Sequence, residues 1–383
     1  MTILISGAGV AGPALAYWLT RQGRRVEIVE RAPSPRTGGY KVDVRGAASA
    51  VLGRMGLLEA AKEADTGMRQ ITYVNKRGKT IAALPADLIM GRRGDDVEIM
   101  RGDLGRILHD ATAGEAAYVF GDAIASLDDG PDGVDVTFTS GRKGRYEMVA
   151  GADGLHSATR RQVFGEVPLT HLGGYIAIFT TENTLGIDRE EVMYSEPGRL
   201  IFAYAMGGPA RVGMIFAGDK SDKTRGKAMV AEAFRGGGWR TGEFLAAMEK
   251  ADDFYFDSLS QVDAPRWSSG RVVLLGDAAH CPAPSSGQGT SLALVGAYVL
   301  AEALAETGDH AAAFAAYESR MRPYVAKNMA FGRRMIKDMV PGGRLNIAFR
   351  NYGMRTLKYH PRKEQVIERV LAPLREAAEA IAI

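Results

Sequence analysis

Residues 2–31, TILISGAGVAGPALAYWLTRQGRRVEIVER, constrain the fold more than any other part of the chain. Ile3, Leu4 and Ile5 form a short apolar run of the kind that makes a strand buried on both faces. Gly7, Gly9 and Gly12 follow in a G-x-G-x-x-G spacing, then a helix-period stretch with Leu15, Ala16 and Leu19 apolar. Val26, Ile28 and Val29 make a second strand that closes on Glu30. In such a strand–turn–helix–strand unit the first glycine makes the tight turn and the second lets a pyrophosphate approach the backbone. The third lets helix and strand pack closely. The helix N-terminus then offers free N–H groups and a positive dipole end to the phosphates. Glu30, 18 residues past Gly12, is placed to accept hydrogen bonds from a ribose diol and would repel a 2′-phosphate. An unphosphorylated adenosine fits, as in FAD or NAD. Three glycines, a proline and no basic residue ahead of the apolar run argue against a signal peptide or membrane segment.

At 383 residues the chain exceeds one ordinary core, and two closely joined domains are expected. A formal charge of +3 with no dense Lys/Arg tract points away from a nucleic-acid partner. Cys281 is the only cysteine, so internal disulfides and a redox dithiol are excluded. The six histidines, at 109, 156, 171, 280, 310 and 360, form no ligand cluster, and no metal is expected. No apolar run reads as a membrane span, which leaves a cytoplasmic location and no stable membrane association as the expectation.

Further along, residues 31–45 are rich in Pro, Arg and Gly and contain Gly38, Gly39 and Asp43. One helix is predicted over 47–64, and 71–98 reads as a small excursion with a strand at 71–74. Residues 101–113 return to helical spacing. Val134, Val136 and Phe138 alternate as in an antiparallel ribbon, and Met148–Gly151 is another buried strand. From 165 to 267 the pattern changes to alternating strands at 175–179, 200–206 and 212–216, read as a separate antiparallel sheet. Residues 271–275 again read as a buried strand, apolar from Val272 to Leu275, and lead into GDAAHCPAPSSGQG and a long apolar helix at 291–305. The remainder is mostly helical, with Val366, Ile367, Val370, Leu371, Leu374, Ala378 and Ile381 on one helix face, expected to pack on the body.

The nucleotide-binding fold is therefore discontinuous, with strands near residues 3, 26, 148 and 271. The expected class is α/β: a Rossmann-like domain of 1–70, 99–165 and 267–335, a substrate domain of 71–98 and 166–266, and a C-terminal helical segment of 336–383. Two further motifs follow strands. Gly151-Ala152-Asp153-Gly154 comes with Ser157 and Arg160; Gly276-Asp277-Ala278-Ala279-His280 comes with Pro284 and Gly287-Gln288-Gly289. Asp277 at a strand end is placed to bond a sugar-like polyol, and the glycines at 287 and 289 let a helix N-terminus approach a planar ring. His280 reads as a packing residue and Cys281 as a small loop residue.

These three motifs in order resemble the single-component FAD-dependent aromatic hydroxylases, the class A flavoprotein monooxygenases. Chain length, Arg101-Gly-Asp-Leu104 and the segment 38–43 are most similar to the tetracycline-inactivating hydroxylases of that family. The resemblance covers residues 1–330 and implies FAD as cofactor, NADPH or NADH as electron donor, and O2 with a small aromatic molecule as substrates. It implies that Gly7, Gly9, Gly12 and Glu30 hold the ADP half of FAD. Arg101 would lie along the flavin, Asp277 on the ribityl chain, and Gly287, Gln288, Gly289 and Thr290 against the isoalloxazine. Arg31 and Asp43 join these cofactor-side residues; Asp153 would serve the shared FAD/NAD(P)H motif, and Arg36 matches a position proposed to touch NADPH. Where the family often has Asn and Asp on the helix after GQG, this chain has Ser291 and Gly296. The family's chemistry passes through a flavin C4a-hydroperoxide, which explains why no catalytic triad or dyad is visible. A flavin halogenase signature is missing, and a reductase, a desaturase or a non-enzymatic FAD-binding protein is the alternative reading. Leu200, Phe202, Tyr204 and Met206 share one strand face. With Val212, Met214 and Phe216 expected alongside, they form the candidate wall for a bulky aromatic or polycyclic substrate.

Overall fold

The computed structural model describes residues 2–36, 38–219, 225–357 and 359–383. The apolar runs of the first domain come together in one six-stranded sheet. Its order is Ser268–Ser269, Val272–Leu274, Met148–Gly151, Thr2–Ser6, Arg25–Glu30 and Ala116–Phe120. All neighbours are parallel except the two-residue edge strand Ser268–Ser269. Alternation along each strand sorts side chains to two faces. Ile3, Ile5, Val26, Ile28, Met148 and Ala150 meet the helices Ala11–Arg21, Gly289–Glu306 and His310–Met339. Leu4, Val29, Val149 and Val272 meet Val134, Val136, Phe138 and Tyr146 of a three-stranded antiparallel sheet. Both faces of the parallel sheet are thus dry, which is why its strands read as continuous apolar runs.

The second domain is an eight-stranded sheet ordered His280–Cys281, Tyr255–Asp263, Thr170–Thr181, Ala210–Ala217, Arg199–Ala205, Glu190–Glu196, Gln70–Val74 and Thr80–Pro85. It is mixed, not wholly antiparallel as expected, because Gln70–Val74 runs parallel to Glu190–Glu196. The strands Glu190–Glu196 and Tyr255–Asp263 lack a legible sequence signal because charged and polar residues break the alternation, and Thr80–Pro85 lacks one because its four central residues are all apolar. Helices Gly226–Ala233 and Thr241–Lys250 cover one face of this sheet through Val230, Phe234, Phe244 and Met248.

Two other expectations change. The single helix over 47–64 is two, Ala47–Arg54 and Leu58–Glu63, because the chain turns at Gly56 with φ +68°. Helix Gly289–Glu306 is long and apolar enough to cross a bilayer, yet 72% of it is buried inside the fold as the central core helix. At the C-terminus, helix Lys363–Ala378 buries Leu371, Ala377 and Ala378, and Asn328 donates to the Ala377 carbonyl at 2.9 Å. The anticipated apolar stripe splits, since Val366 and Val370 face solvent.

Gly12 is the tightest point of the first motif. A Cβ there would lie 2.0 Å from the Gly7 carbonyl oxygen. Gly12→Ala is therefore expected to prevent the helix from seating, lowering both the melting temperature and the retained flavin; a variant with unchanged melting and flavin content would refute this account. His280 is fully buried against Trp267, ring centroids 4.5 Å apart, with Tyr317 Oη 3.3 Å from Nε2. Burial, with Arg322 adding to it, lowers its pKa from 6.5 to about 4. Between those values the unfolded chain takes up a proton that the folded chain refuses, so stability falls as pH drops through the window. The loss amounts to roughly 2–3 kcal/mol by pH 4. His280→Phe should flatten that portion of the pH–stability curve measured by denaturant titration.

Candidate active site

The three motifs converge at the C-terminal ends of the parallel strands, the edge where open α/β sheets bind ligands. Gly7, at φ +110°, leaves the first strand so close to the second motif that a Cβ would sit 2.5 Å from the Ala152 carbonyl oxygen. A Cβ on Gly9 would meet only the Arg101 Nη2, at 3.7 Å, so this side of the turn is open to a ligand. The helix Ala11–Arg21 begins beside it with no side-chain cap and no acidic residue in its first turn. Its free N–H groups suit an anion.

Glu30 lies at the end of its strand next to this turn. One carboxylate oxygen accepts the Ala8 N–H at 2.8 Å and the other the Ala32 N–H at 2.9 Å. The acid therefore shapes the glycine turn. Arg36 reaches Glu30 at 3.5 Å from an exposed position, and Arg31 is exposed just beyond the strand.

Arg101 opens the helix Arg101–Asp110, and its backbone N–H donates to the Tyr40 carbonyl at 3.0 Å. Its side chain leaves from beside Gly39 and ends beside Gly9, so it runs from the 38–43 segment to the phosphate turn. On the opposite side Asp277 sits in a 3-10 turn, Gly276–Ala278, directly after the strand Val272–Leu274. Burial raises its pKa, while Cys281 and Arg101 hold it down in part. Its Oδ1 is 3.7 Å from where a Gly289 Cβ would lie. Gly287 adopts a left-handed turn at φ +64°, and a Cβ there would come within 4.0 Å of Asp43 Oδ2. Gly289 and Thr290 open the core helix, which again has no acidic residue in its first turn. Gly7, Gly9, Glu30, Asp43, Arg101, Asp277 and residues 287–290 thus surround one place.

The donor set fits FAD. Both polar atoms of the Gln288 amide are buried without a protein partner, as is the Asp43 Oδ1 by hydrogen-bond geometry, although Arg45 Nη2 lies 2.8 Å from that oxygen. A buried amide with neither donor nor acceptor used is costly unless a ligand satisfies it. Two uncapped helix N-termini supply donors for phosphates and ring carbonyls. Among the described residues no cluster of His, Cys, Asp and Glu is arranged to hold a metal ion.

Asp153 is differently employed. Its carboxylate accepts from the Ser157 hydroxyl, the Thr159 N–H at 2.9 Å and the Thr159 hydroxyl at 3.0 Å, and so organises the start of helix Ala158–Phe164. Arg160 does not pair with it; the buried guanidinium donates to the carbonyls of Ala278 and Leu155 and ties the second motif to the third. The departures at 291 and 296 also have reasons. Ser291 Oγ accepts the Arg45 N–H at 3.4 Å, and a Cβ on Gly296 would already lie 3.1 Å from Leu275, leaving no space for an acid.

The side chains expected together on one face of the second sheet divide between its two faces. In the register of the two strands Phe202 pairs with Gly213 and Tyr204 with Arg211, whereas Met214 pairs with Ile201. Met214 and Phe216 therefore point to the opposite face, packed under the two covering helices with Val230 and Phe234. The error is one residue of register, which reverses a face. Phe202 and Tyr204 do share a face, with rings stacked 6.3 Å apart at 8°, and Met193, Met206 and Met100 gather around them. Gly213 is what lets the Phe202 ring lie flat, since a Cβ there would fall 2.0 Å from it.

Contacts between this face and the cofactor side were not legible in the sequence. Tyr204 Oη accepts the Lys41 N–H at 3.1 Å, and Arg211 Nε donates to the Gly39 carbonyl at 3.0 Å. Lys41 Nζ lies 2.6 Å from Glu191 and 3.1 Å from Glu98 in a buried cluster. Burial opposes its charge, but the two carboxylates more than offset this and raise its pKa. Burial likewise works against the Glu98 charge, and Lys41, Thr66 and Arg92 together keep its pKa lowered.

The family model described as FAD binding domain matches residues 1–332. A flavin-dependent monooxygenase from an unknown prokaryotic organism is 40% identical over 339 residues, 86% of this chain and 88% of that protein. Another, from Legionella longbeachae serogroup 1 (strain NSW150), is 38% identical over 340 residues, 86% of this chain and 87% of that protein. The crystal structure of tetracycline destructase Tet(55) matches with a TM-score of 0.86 at 36% identity, covering 99% of this chain and 97% of that one. This chain belongs to the FAD-binding-domain family and is a single-component class A flavoprotein monooxygenase whose similar solved structures include the tetracycline destructases.

Proposed function

We propose that this monooxygenase takes electrons from NADPH or NADH and inserts one oxygen atom of O2 into a bulky aromatic or polycyclic small molecule, by the route that the family resemblance implies. FAD, when bound, supplies the electron transfer and oxygen activation. What the chain's own residues do is hold and orient. Gly7, Gly9, Gly12 and Glu30 take the ADP portion, Arg101 and Asp277 the middle, and Asp43 with residues 287–290 the ring. Arg36 is the residue proposed for the nicotinamide nucleotide.

The observation that carries this reading is the continuity between the aromatic sheet face and the cofactor segment. Tyr204 and Arg211 hold the backbone of Lys41 and Gly39, two to four residues from Asp43. A planar ligand lying on Phe202 and the surrounding methionines would border the flavin site directly, shielded from water by the sheet. Destruction of a tetracycline-like polycycle is the substrate chemistry in keeping with this arrangement, since flat rings and flexible thioethers suit such a surface.

The purified protein is expected to be yellow and to release FAD on denaturation, and Asp277→Ala should lower flavin occupancy roughly tenfold, the loss of a hydrogen bond to a charged group. Flavin content and turnover both unchanged in that variant would remove Asp277 from the site. For the substrate wall, the register sets a direct comparison. Phe202→Ala should abolish the stimulation of NADPH oxidation by a tetracycline or other polycyclic substrate while keeping flavin. Met214→Ala, from the opposite face, should cost about 2–5 kcal/mol of stability and leave stimulation intact. Equal effects of the two variants on stimulation would show that the pocket lies elsewhere.

A further inference from the structure

Among the described residues, most exposed large apolar side chains fall in one short region. Among the described residues Leu345, Phe349 and Tyr352 are 86%, 81% and 67% exposed, and Tyr359, Val366 and Val370 are exposed as well. The first three stand at i, i+4 and i+7 of helix Arg344–Leu357, so they form one stripe on its outer face. The inner side of the same helix is engaged. Met354 and Leu357 pack with the cluster that contains Phe202 and Tyr204, and Arg350 donates to Ser195 Oγ at 2.7 Å. A helix held on one side and bare on the other requires a reason for its bare side.

Charge indicates what that side meets. Residues 333–369 carry ten Lys or Arg against three Asp or Glu, while the whole chain is only +3, so the rest of the molecule is net acidic. Among the described residues no carboxylate lies within ion-pair distance of Arg344, Arg355, Arg362, Lys363 or Arg369. A strongly basic surface repels a second copy of itself and attracts an anionic one. Basic residues flanking an aromatic and aliphatic stripe are the pattern of a helix lying in the headgroup region of a bilayer.

We propose that helix Arg344–Leu357 docks this enzyme reversibly on an anionic phospholipid surface, with Leu345, Phe349 and Tyr352 entering the headgroup layer and Arg344 and Arg355 on lipid phosphates. This is a peripheral, salt-sensitive attachment and not an anchor. The opposite side of the docked helix packs beside Phe202 and Tyr204 through Met354 and Leu357, so docking would bring that face close to apolar molecules dissolved in the bilayer.

The test is co-sedimentation of the FAD-loaded enzyme with phosphatidylcholine vesicles with and without phosphatidylglycerol. The enzyme should pellet with the anionic vesicles, bind neutral ones roughly tenfold or more weakly, and be released by high salt. Leu345→Ser/Phe349→Ser/Tyr352→Ser should lose vesicle binding by a similar factor with flavin content unchanged. Arg344→Glu/Arg355→Glu tests the same contact without altering the apolar stripe, should the triple variant be insoluble. The proposal is overturned if wild type ignores anionic vesicles, or if both variants bind as wild type does. A dimer that the triple variant disperses would also overturn it, by assigning the face to a second copy. None of these outcomes depends on substrate identity or turnover, so they are separate from the reading of the active site.

Discussion

The structure rests on the absence of side chains where Gly12 meets the Gly7 carbonyl. With only hydrogen at that position, helix Ala11–Arg21 approaches the end of the first strand closely enough to turn its uncapped N-terminus toward the phosphate turn. The same closeness places Gly7 against Ala152 and so brings the second motif to the first. Arg160 then reaches from the second motif to the Ala278 carbonyl of the third. Motifs about 150 and 275 residues apart from the N-terminal turn are thus held by backbone contact and one buried guanidinium.

The next dependence is electrostatic. Lys41, Glu98 and Glu191 form a buried cluster joining the segment that carries Asp43 to the eight-stranded sheet. Desolvating three charges is unfavourable, and their mutual attraction offsets it only in good geometry. Removing one partner would strand the others, a loss of about 3–5 kcal/mol. Such a cluster fixes position more than it adds stability: it sets where Tyr40, Lys41 and Asp43 stand relative to Phe202 and Tyr204. In an enzyme whose cofactor performs the chemistry, that placement is the protein's main contribution.

The site is accordingly a holding arrangement. Glu30 ties the glycine turn to the end of its own strand, Arg101 bridges two segments, and Gln288 holds a buried amide without a protein partner. His280 and Cys281, although they sit in the third motif, are packing residues; burial keeps the imidazole neutral and pushes the thiol pKa up. Asp153 serves its own helix. Proximity to a motif therefore does not make a side chain part of the chemistry, and each had to be assigned by what it touches.

The sequence by itself determined the parallel sheet and its discontinuity, and it marked the three glycine-bearing motifs that meet at one end of that sheet. Buried strands read as apolar runs, and glycines that admit close approach have no substitute, so both leave local marks. It did not determine which face of the second sheet carries which residue. Met214 and Phe216 are as apolar as Phe202, and only pairing register separates the Phe202–Tyr204 face from the core beneath the helices. Nor did it show that Lys41 is buried with two glutamates, that Gly296 is closed off by Leu275, or that the helical stripe near the C-terminus divides between core and solvent. Those outcomes depend on partners that lie in other elements of the chain. Local composition records how a segment buries itself; tertiary structure alone decides against what.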